Sequence, residues 1–167
     1  MLDRRTLLTG GAAIAALGVQ HWFGKDNAMA DTATAEVQKT DTEWRALLTP
    51  AQFDVLRKHG TERPGSSALN HEKRKGTFAC AGCDLPLFSS DTKYESGTGW
   101  PSFYQPLPNA VATTTDRTLF MTRTEVHCRR CHGHLGHVFD DGPKPTGLRY
   151  CMNGVALKFN PAAPGAA

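Results

Sequence analysis

Five cysteines are the residues of this 167-residue chain with the clearest capacity for chemistry. Four of them form two Cys-x-x-Cys pairs, Cys80 with Cys83 and Cys128 with Cys131, and the fifth is Cys151. Two intervening residues allow a tight turn to direct both thiolates at one ion, and two such pairs complete a tetrahedral site. Four sulfur ligands leave no coordination position for water or substrate, so the spacing predicts one structural zinc ion.

The cysteine pairs have other interpretations. Cys-x-x-Cys is also the thioredoxin dithiol motif, but that motif belongs at a helix N-terminus in a βαβ setting, which the sequence around neither pair indicates. Two disulfides or an iron site remain as alternatives to zinc.

Cys151 stands apart from both pairs, and it also has two interpretations. Free cysteines are among the most buried residues, so it could be a small core side chain. However, His134 and His137 lie just upstream in the sequence. An imidazole beside a thiol favours the reactive thiolate and can carry protons, so these histidines favour a nucleophilic Cys151.

Three longer segments resemble one enzyme family. They are residues 99–103 (GWPSF), 134–143 (HLGHVFDDGP) and 149–157 (RYCMNGVAL). Together with the two cysteine pairs they are similar to the B-type methionine sulfoxide reductases, which act on the R epimer at sulfur. The resemblance covers residues 44–159 and implies an enzyme that repairs oxidised proteins or peptides with the help of thiols, with zinc as its metal.

The resemblance also implies catalytic roles for four residues. Cys151 takes the position of the nucleophile, whose thiolate attacks the sulfoxide sulfur and becomes a sulfenic acid as methionine leaves. His137 and Asn153 match residues that shape the active site and assist proton transfer, and His134 matches a second imidazole nearby.

Substrate binding is implied for two aromatic residues. Trp100 matches the tryptophan that receives the methyl group of the substrate, and Phe139 would form a further apolar wall. An apolar cage of this kind excludes water while it recognises the methyl group.

The chain departs from the family pattern at Thr98, where many members have a resolving cysteine. Because the paired cysteines are assigned to the metal, we expect no internal disulfide with Cys151. The sulfenic acid must then be reduced by an outside small thiol or by a thioredoxin-like protein.

The first thirty residues differ in composition from the rest of the chain. Arg4 and Arg5 precede an uncharged Gly/Ala/Leu run at residues 9–19, and residues 28–30 (AMA) suit a cleavage site. The pattern resembles a bacterial twin-arginine signal and predicts export to the periplasm, after folding and zinc loading in the cytoplasm. An uncleaved, disordered or membrane-tethering N-terminus is the alternative. The apolar run is shorter than the roughly 20 residues of a membrane-spanning helix.

The remaining chain predicts one mainly β domain at residues 41–160, between a flexible linker at 31–40 and a frayed tail at 161–167. Thr42 is the expected cap of a first short helix in which Trp44 is a core residue, and Thr49 with Pro50 begins a second. Strands are predicted at residues 77–79, 85–88, 111–115, 119–126, 137–139 and 150–159, and their turn-rich spacing is typical of antiparallel sheets. The resemblance implies a tent-like arrangement of these sheets.

The charge balance excludes few partners by itself. With 19 basic and 16 acidic residues the formal net charge is +3, which does not predict binding to nucleic acid or to a membrane surface. A non-catalytic zinc module remains as a second hypothesis because of the basic residues 73–75 (KRK), but the aromatic residues of an RNA-binding surface are missing there. We expect a monomer whose mature chain is not stably inserted in a membrane.

Overall fold

The structure of the protein, a computed structural model, describes residues 35–118 and 121–163. The predicted export signal lies outside these residues, as do residues 31–34 of the predicted linker and 164–167 of the predicted tail. The chain order is α1 (Asp41–Leu47), α2 (Pro50–Lys58), β1 (Gly76–Cys80), β2 (Pro86–Ser89), β3 (Lys93–Tyr94), β4 (Ser102–Phe103), β5 (Val111–Asp116), β6 (Arg123–Cys128), β7 (His134–Phe139), β8 (Arg149–Met152) and β9 (Leu157–Pro161). The prediction of a mainly β domain with short N-terminal helices is confirmed.

Two antiparallel sheets contain all of these strands. The smaller has the order β2-β1-β9, and the larger has the order β3-β4-β8-β7-β6-β5. Strand β8 lies between β4 and β7, and its register pairs Cys151 with Ser102 on one side and with His137 on the other. The larger sheet therefore brings two sequence motifs to the predicted nucleophile.

The helices begin at capping threonines. Thr49 caps α2, accepts a hydrogen bond from the Gln52 backbone and precedes Pro50, as predicted. The cap of α1 is Thr40 rather than the predicted Thr42, because Glu43 stands at the third helical position and completes a capping box with Thr40.

Aromatic side chains join the two sheets. Phe103 of β4 stacks on Phe88 of β2, with ring centroids 4.4 Å apart, and meets Phe78 of β1 edge-on at 4.9 Å. All three are fully buried, and aromatic pairs in such geometries contribute about 0.5–1.5 kcal/mol beyond their burial. Trp44 of α1 is 1% exposed, so its predicted place in the core is confirmed.

Two predicted strands have different bounds. The strand predicted at 119–126 is β6, which begins at Arg123 and ends at Cys128. The strand predicted at 150–159 is two strands, because a 3-10 turn at Gly154–Ala156 moves the chain from the larger sheet, where β8 lies, to the smaller sheet, where β9 lies. Periodicity does not reveal this change of sheet because apolar residues continue through the turn at Val155 and Ala156 to Leu157.

Both predicted domain boundaries lie inside the packed chain. Within the predicted linker, the Val37 backbone N–H donates to the carbonyl of Arg130 at 3.0 Å. At the other end, Pro161 still pairs with Gly76 in the smaller sheet. Among the residues that the structure describes, no helix combines the length and the apolar character needed to cross a membrane.

Candidate metal site and candidate active site

The four paired cysteines meet between the two sheets. Their sulfur atoms lie within 4.8 Å of one another, with 3.7 Å between Cys80 and Cys131 and 3.5 Å between Cys83 and Cys128. Zinc–sulfur bonds of about 2.3 Å in a tetrahedron place the sulfurs about 3.8 Å apart, so the cluster has the dimensions of a zinc tetrathiolate. Cys80 ends β1 and Cys128 ends β6, so an ion bound here joins the smaller sheet to the larger one.

Each cysteine pair is held by the same backbone pattern. The N–H of Asp84 donates to the carbonyl of Cys80, and the N–H of His132 donates to the carbonyl of Cys128, both at 2.9 Å. Asp84 and His132 have left-handed backbones, with φ of 58° and 53°. Two turns of matching geometry that direct four thiols at one point fit a structural metal. The five cysteines are free thiols in the structure.

Cys151 opens onto a cavity of about 180 Å³. Five residues that the sequence analysis assigned to the site line this cavity: Trp100, His137, Phe139, Cys151 and Asn153. Thr61, Arg123 and Gly136 complete the wall. The structure therefore gathers five of the six predicted catalytic and substrate-binding residues around one small cavity.

Glu62 fixes the side chains of Trp100 and Asn153 in the wall of this cavity. Its backbone carbonyl accepts from Trp100 Nε1 at 3.1 Å, and its N–H donates to Asn153 Oδ1 at 3.0 Å. Asn153 is buried and also donates from Nδ2 to the carbonyl of Leu135 at 3.1 Å. Because the Glu62 carboxylate accepts from the N–H groups of Gly154 and Val155, it fixes the turn that follows Cys151 as well.

His137 faces a carboxylate on the neighbouring hairpin. Its Nε2 lies 2.8 Å from Asp116 Oδ2, and Arg123 Nη2 approaches the same oxygen at 2.7 Å. An ionised carboxylate only accepts hydrogen bonds, so Nε2 carries the proton and Nδ1 is the basic atom of the neutral ring. Hydrogen bonds from the backbone and hydroxyl of Thr118, together with His137, hold the pKa of Asp116 well below its usual value.

The protonation of His137 is set by opposing effects. Burial lowers the pKa of His137 below its ordinary 6.5, while the hydrogen bond to Asp116 acts to raise it. The net shift is downward, so the ring is mostly neutral at pH 7.

His134 lies beside His137 but outside the wall of the Cys151 cavity. Its Nδ1 lies 2.7 Å from Glu125 Oε1, and its ring meets that of His137 at 5.5 Å between centroids. Burial acts to raise the pKa of Glu125, but the hydrogen bond from His134 and the charges around it outweigh burial and bring that pKa to about 2. His134 does not line the Cys151 cavity, so its contact with the site is through the His137 ring.

A chain of hydroxyls reaches Cys151 from the other side. Thr98 Oγ1 lies 3.7 Å from Cys151 Sγ and 2.9 Å from Ser96 Oγ, which in turn lies 2.7 Å from Ser102 Oγ. Ser102 donates onward to the carbonyl of Trp100 at 3.1 Å. Thr98, where the resemblance leads us to expect a resolving cysteine in many family members, is thus in contact with Cys151.

Phe139 supplies an apolar wall that is itself held in place. The Arg149 guanidinium lies over its ring, 4.4 Å from the centroid, and is bound by two hydrogen bonds of 2.8 Å to Asp141. A cation over an aromatic face is attracted by the ring quadrupole, which restrains the ring orientation.

The basic segment that motivated a binding-module hypothesis is largely neutralised. Arg74 is paired with Glu72, and Lys75 is paired with Asp91. The Arg74 guanidinium also lies over the Phe159 ring, 5.2 Å from its centroid.

Four site residues were not found from the sequence. None of the four stands in a motif. Asp116, Arg123 and Glu125 come to the histidines only through the strand pairs β5–β6 and β6–β7. Glu62 lies in the chain between α2 and β1 and contacts Trp100 and Asn153 instead. The alternation of β6 carried a signal, because Arg123 and Glu125 share one face with a charge on each.

Comparisons with known proteins agree on one family. The SelR domain model matches residues 48–161 of the chain. The chain is 52% identical over 134 residues, covering 80% of it and 99% of the relative, to "Peptide methionine sulfoxide reductase MsrB" of Agrobacterium fabrum. Proteins of the same name from Pseudomonas putida strain W619 (57% over 127 residues, 75% of this chain and 96% of the relative) and Methanosarcina barkeri (54% over 134 residues, 80% and 94%) are also similar to it.

Proposed function

Because the chain belongs to the SelR-domain family of peptide methionine sulfoxide reductases MsrB, we propose that it reduces the R epimer of methionine sulfoxide in proteins through a sulfenic acid on Cys151. The enzyme class, an oxidoreductase that acts on methionine sulfoxide, follows from this membership. The observation that carries the finer proposal is the common cavity of Cys151, Trp100 and His137.

The cavity supports binding of the oxidised end of a methionine side chain. Its volume of about 180 Å³ accommodates a methyl sulfoxide but little more. The indole of Trp100 and the ring of Phe139 offer apolar contact to the methyl group, and the sulfoxide oxygen then points to the polar wall at His137. With the methyl group and the oxygen held on opposite walls and the methylene chain leading out of the cavity mouth, only one configuration presents its sulfur to Cys151. We therefore propose selectivity for one epimer.

The reduction step requires a nucleophile and a proton donor. The Cys151 thiolate attacks the sulfoxide sulfur while the imidazolium of His137 gives its Nδ1 proton to the oxygen. The hydroxyl then moves from the substrate sulfur to the Cys151 sulfur. The S–O bond to methionine breaks together with the sulfur–sulfur bond formed in the attack, so Cys–S⁻, R₂S=O and one proton become Cys–SOH and R₂S. The cysteine sulfur is oxidised by two electrons and the substrate sulfur is reduced by two.

The return to the thiol requires two outside thiols. The first attacks the sulfenic sulfur, releases water and forms a mixed disulfide, and the second releases Cys151 and leaves an external disulfide. No described cysteine other than Cys151 lies at the cavity, so we propose a one-cysteine cycle with a small thiol or thioredoxin-like reductant.

An epimer-resolved assay tests the proposal. The purified protein is incubated with a methionine sulfoxide peptide of mixed configuration and dithiothreitol, and the two epimers are separated by chromatography. We expect consumption of the R epimer alone. Consumption of the S epimer, or of both at equal rates, would contradict the proposed orientation of the sulfoxide in the cavity.

Thr98 is proposed as a hydrogen-bond donor to the Cys151 thiolate. Thr98→Val keeps the shape but removes the hydroxyl, and it is expected to slow alkylation of Cys151 by iodoacetamide about 10-fold, since a hydrogen bond to a charged group contributes about 1.5–3 kcal/mol. Thr98→Ser retains the donor and should react at nearly the wild-type rate. Equal rates for the valine variant and the wild type would mean that the contact is only steric.

The pH dependence of turnover tests the proton donor. A protonated His137 is required, so activity is lost as the pH rises through the His137 pKa. Asp116→Asn removes a contribution that raises this pKa, and the alkaline limb of the single-turnover rate is therefore expected to move to lower pH. Asp141→Asn, an exposed carboxylate paired with Arg149, should leave the limb in place. A limb that Asp116→Asn does not move would assign the proton to another group.

We propose that the enzyme repairs oxidised proteins in the bacterial periplasm after export by the twin-arginine route. The support for export is the Arg4-Arg5 pair with its following apolar run. Fusion of residues 1–40 to a reporter that is active only after folded export should give activity that is lost when both arginines become lysine.

A further inference from the structure

A second cluster of potential metal ligands lies outside the Cys151 cavity. It comprises His59 after α2, Glu125 of β6 and His134 of β7, whose ligand atoms all lie within 4.8 Å of one another. Glu125 Oε1 is 2.7 Å from His134 Nδ1 and 3.1 Å from His59 Nδ1. Three separate elements thus direct two imidazoles and a carboxylate at one point.

The position of His59 is unusual for its residue type. It ends α2 with a left-handed backbone, φ 56°, where glycine or asparagine is the common choice. Its side chain is 64% exposed, yet its ring lies 5.2 Å from that of His134. Stability of the helix end does not require an imidazole here, whereas the left-handed turn directs the ring to Glu125.

The geometry suits a transition metal. Bonds of about 2.0–2.2 Å from zinc to nitrogen and oxygen separate neighbouring ligands by about 3.0–3.5 Å, close to the observed nitrogen–oxygen distances. Glu125 Oε2 is bound by the Thr114 hydroxyl at 3.0 Å, which leaves Oε1 for an ion. Because Nδ1 of each ring faces Glu125 Oε1, an ion at this point would take both imidazoles through Nδ1.

The surroundings permit a cation. The three ligands face an open groove, so water can fill the remaining coordination positions. Three basic residues, Lys58, Arg117 and Arg123, line the groove. The charges of two of them are balanced by ion pairs, Lys58 with Asp41 and Arg123 with Asp116. Two imidazoles and one carboxylate are a donor set for zinc, copper, nickel or non-haem iron rather than for calcium or magnesium.

We propose that His59, Glu125 and His134 form a second metal site, which takes one divalent transition-metal ion and is separate from the cysteine cluster. An ion there is next to the His137 ring, which lies 5.5 Å from that of His134. This site does not depend on the proposed function, because His59, Glu125 and His134 lie outside the wall of the Cys151 cavity.

Binding is tested without the reactive thiol. Zinc-loaded Cys151→Ser protein, whose cysteine cluster is already filled, is titrated with Zn²⁺ in a calorimeter. We expect one further equivalent to bind. Adding His59→Asn, which keeps a residue suited to the left-handed backbone but removes the imidazole, should abolish that signal, while His71→Asn, an exposed histidine elsewhere, should not.

Zinc binding that persists in His59→Asn, no further equivalent in its parent, or loss of the signal in both histidine variants overturns the site. A further equivalent that is lost in His59→Asn and kept in His71→Asn supports it.

Discussion

Replacing Cys151 by serine is expected to abolish methionine formation, with a fall of at least about 10³-fold in kcat/KM. Serine is close in size, but its hydroxyl is not ionised near neutral pH. Oxygen also cannot take the place of sulfur in the transfer step, because the product would be a hydroperoxide in place of a sulfenic acid. The loss therefore reflects the chemistry of the atom rather than its position on β8 between Ser102 and His137.

Fold and metal content separate this loss from a structural one. Cys151 is partly exposed and lies outside the cysteine cluster, so Cys151→Ser should retain its zinc and its circular dichroism spectrum. Mass spectrometry after alkylation of the folded, zinc-loaded wild type should find one modified cysteine, and the variant should show none. Turnover that survives in the variant would remove Cys151 from the proposed mechanism.

The parts of the site that could be predicted are those coded by local spacing. The two Cys-x-x-Cys pairs define their turns within a few residues, and the segments around Trp100, His137 and Cys151 are long enough to be matched as blocks. Capping follows the same logic, since Thr49 and Pro50 identify the start of α2 from adjacent residues. In each case the interacting groups are neighbours in the chain.

The parts that could not be predicted depend on strand register. Asp116 reaches His137 only because β5, β6 and β7 are adjacent in the larger sheet, and a slip of one residue would turn its carboxylate to the opposite face. Glu125 pairs directly with His137 in the β6–β7 register but binds His134 with its side chain. Glu62 binds Trp100 and Asn153 through its backbone and the turn after Cys151 through its carboxylate, and all of these partners are distant from it in the sequence.

The strand register also explains why His137 lines the Cys151 cavity and His134 does not. His134 and His137 are three positions apart on β7, so their side chains start on opposite faces of a regular strand. A left-handed Gly136, φ 155°, and a shift of register between β6 and β7 at this point bring both rings to adjoining positions. His137 lines the cavity with Cys151, whereas His134 contacts the Glu125 carboxylate and does not line the cavity.

Loss of one metal thiolate is expected to have the largest effect on folding. Cys128 is fully buried at the end of β6, and the ion that it would bind with Cys80 connects the two sheets. Structural zinc binding contributes about 10–16 kcal/mol in small zinc-binding peptides, against a net stability of about 5–15 kcal/mol for a typical domain. Cys128→Ser should therefore contain far less than one zinc per chain and show no cooperative thermal transition.

The matched control for this variant is Cys151→Ser, which removes a thiol of the same chain without touching the cluster. It should bind one zinc at the cysteine cluster and melt within a few degrees of the wild type, as measured by elemental analysis and circular dichroism. A zinc-free Cys128→Ser protein that melts at the wild-type temperature would show that the aromatic contacts of Phe78, Phe88 and Phe103 alone hold the sheets together. If Cys128→Ser unfolds while Cys151→Ser keeps its fold and its zinc, the two groups of cysteines have separate roles. The cysteine cluster then stabilises the fold, and Cys151 serves the reaction.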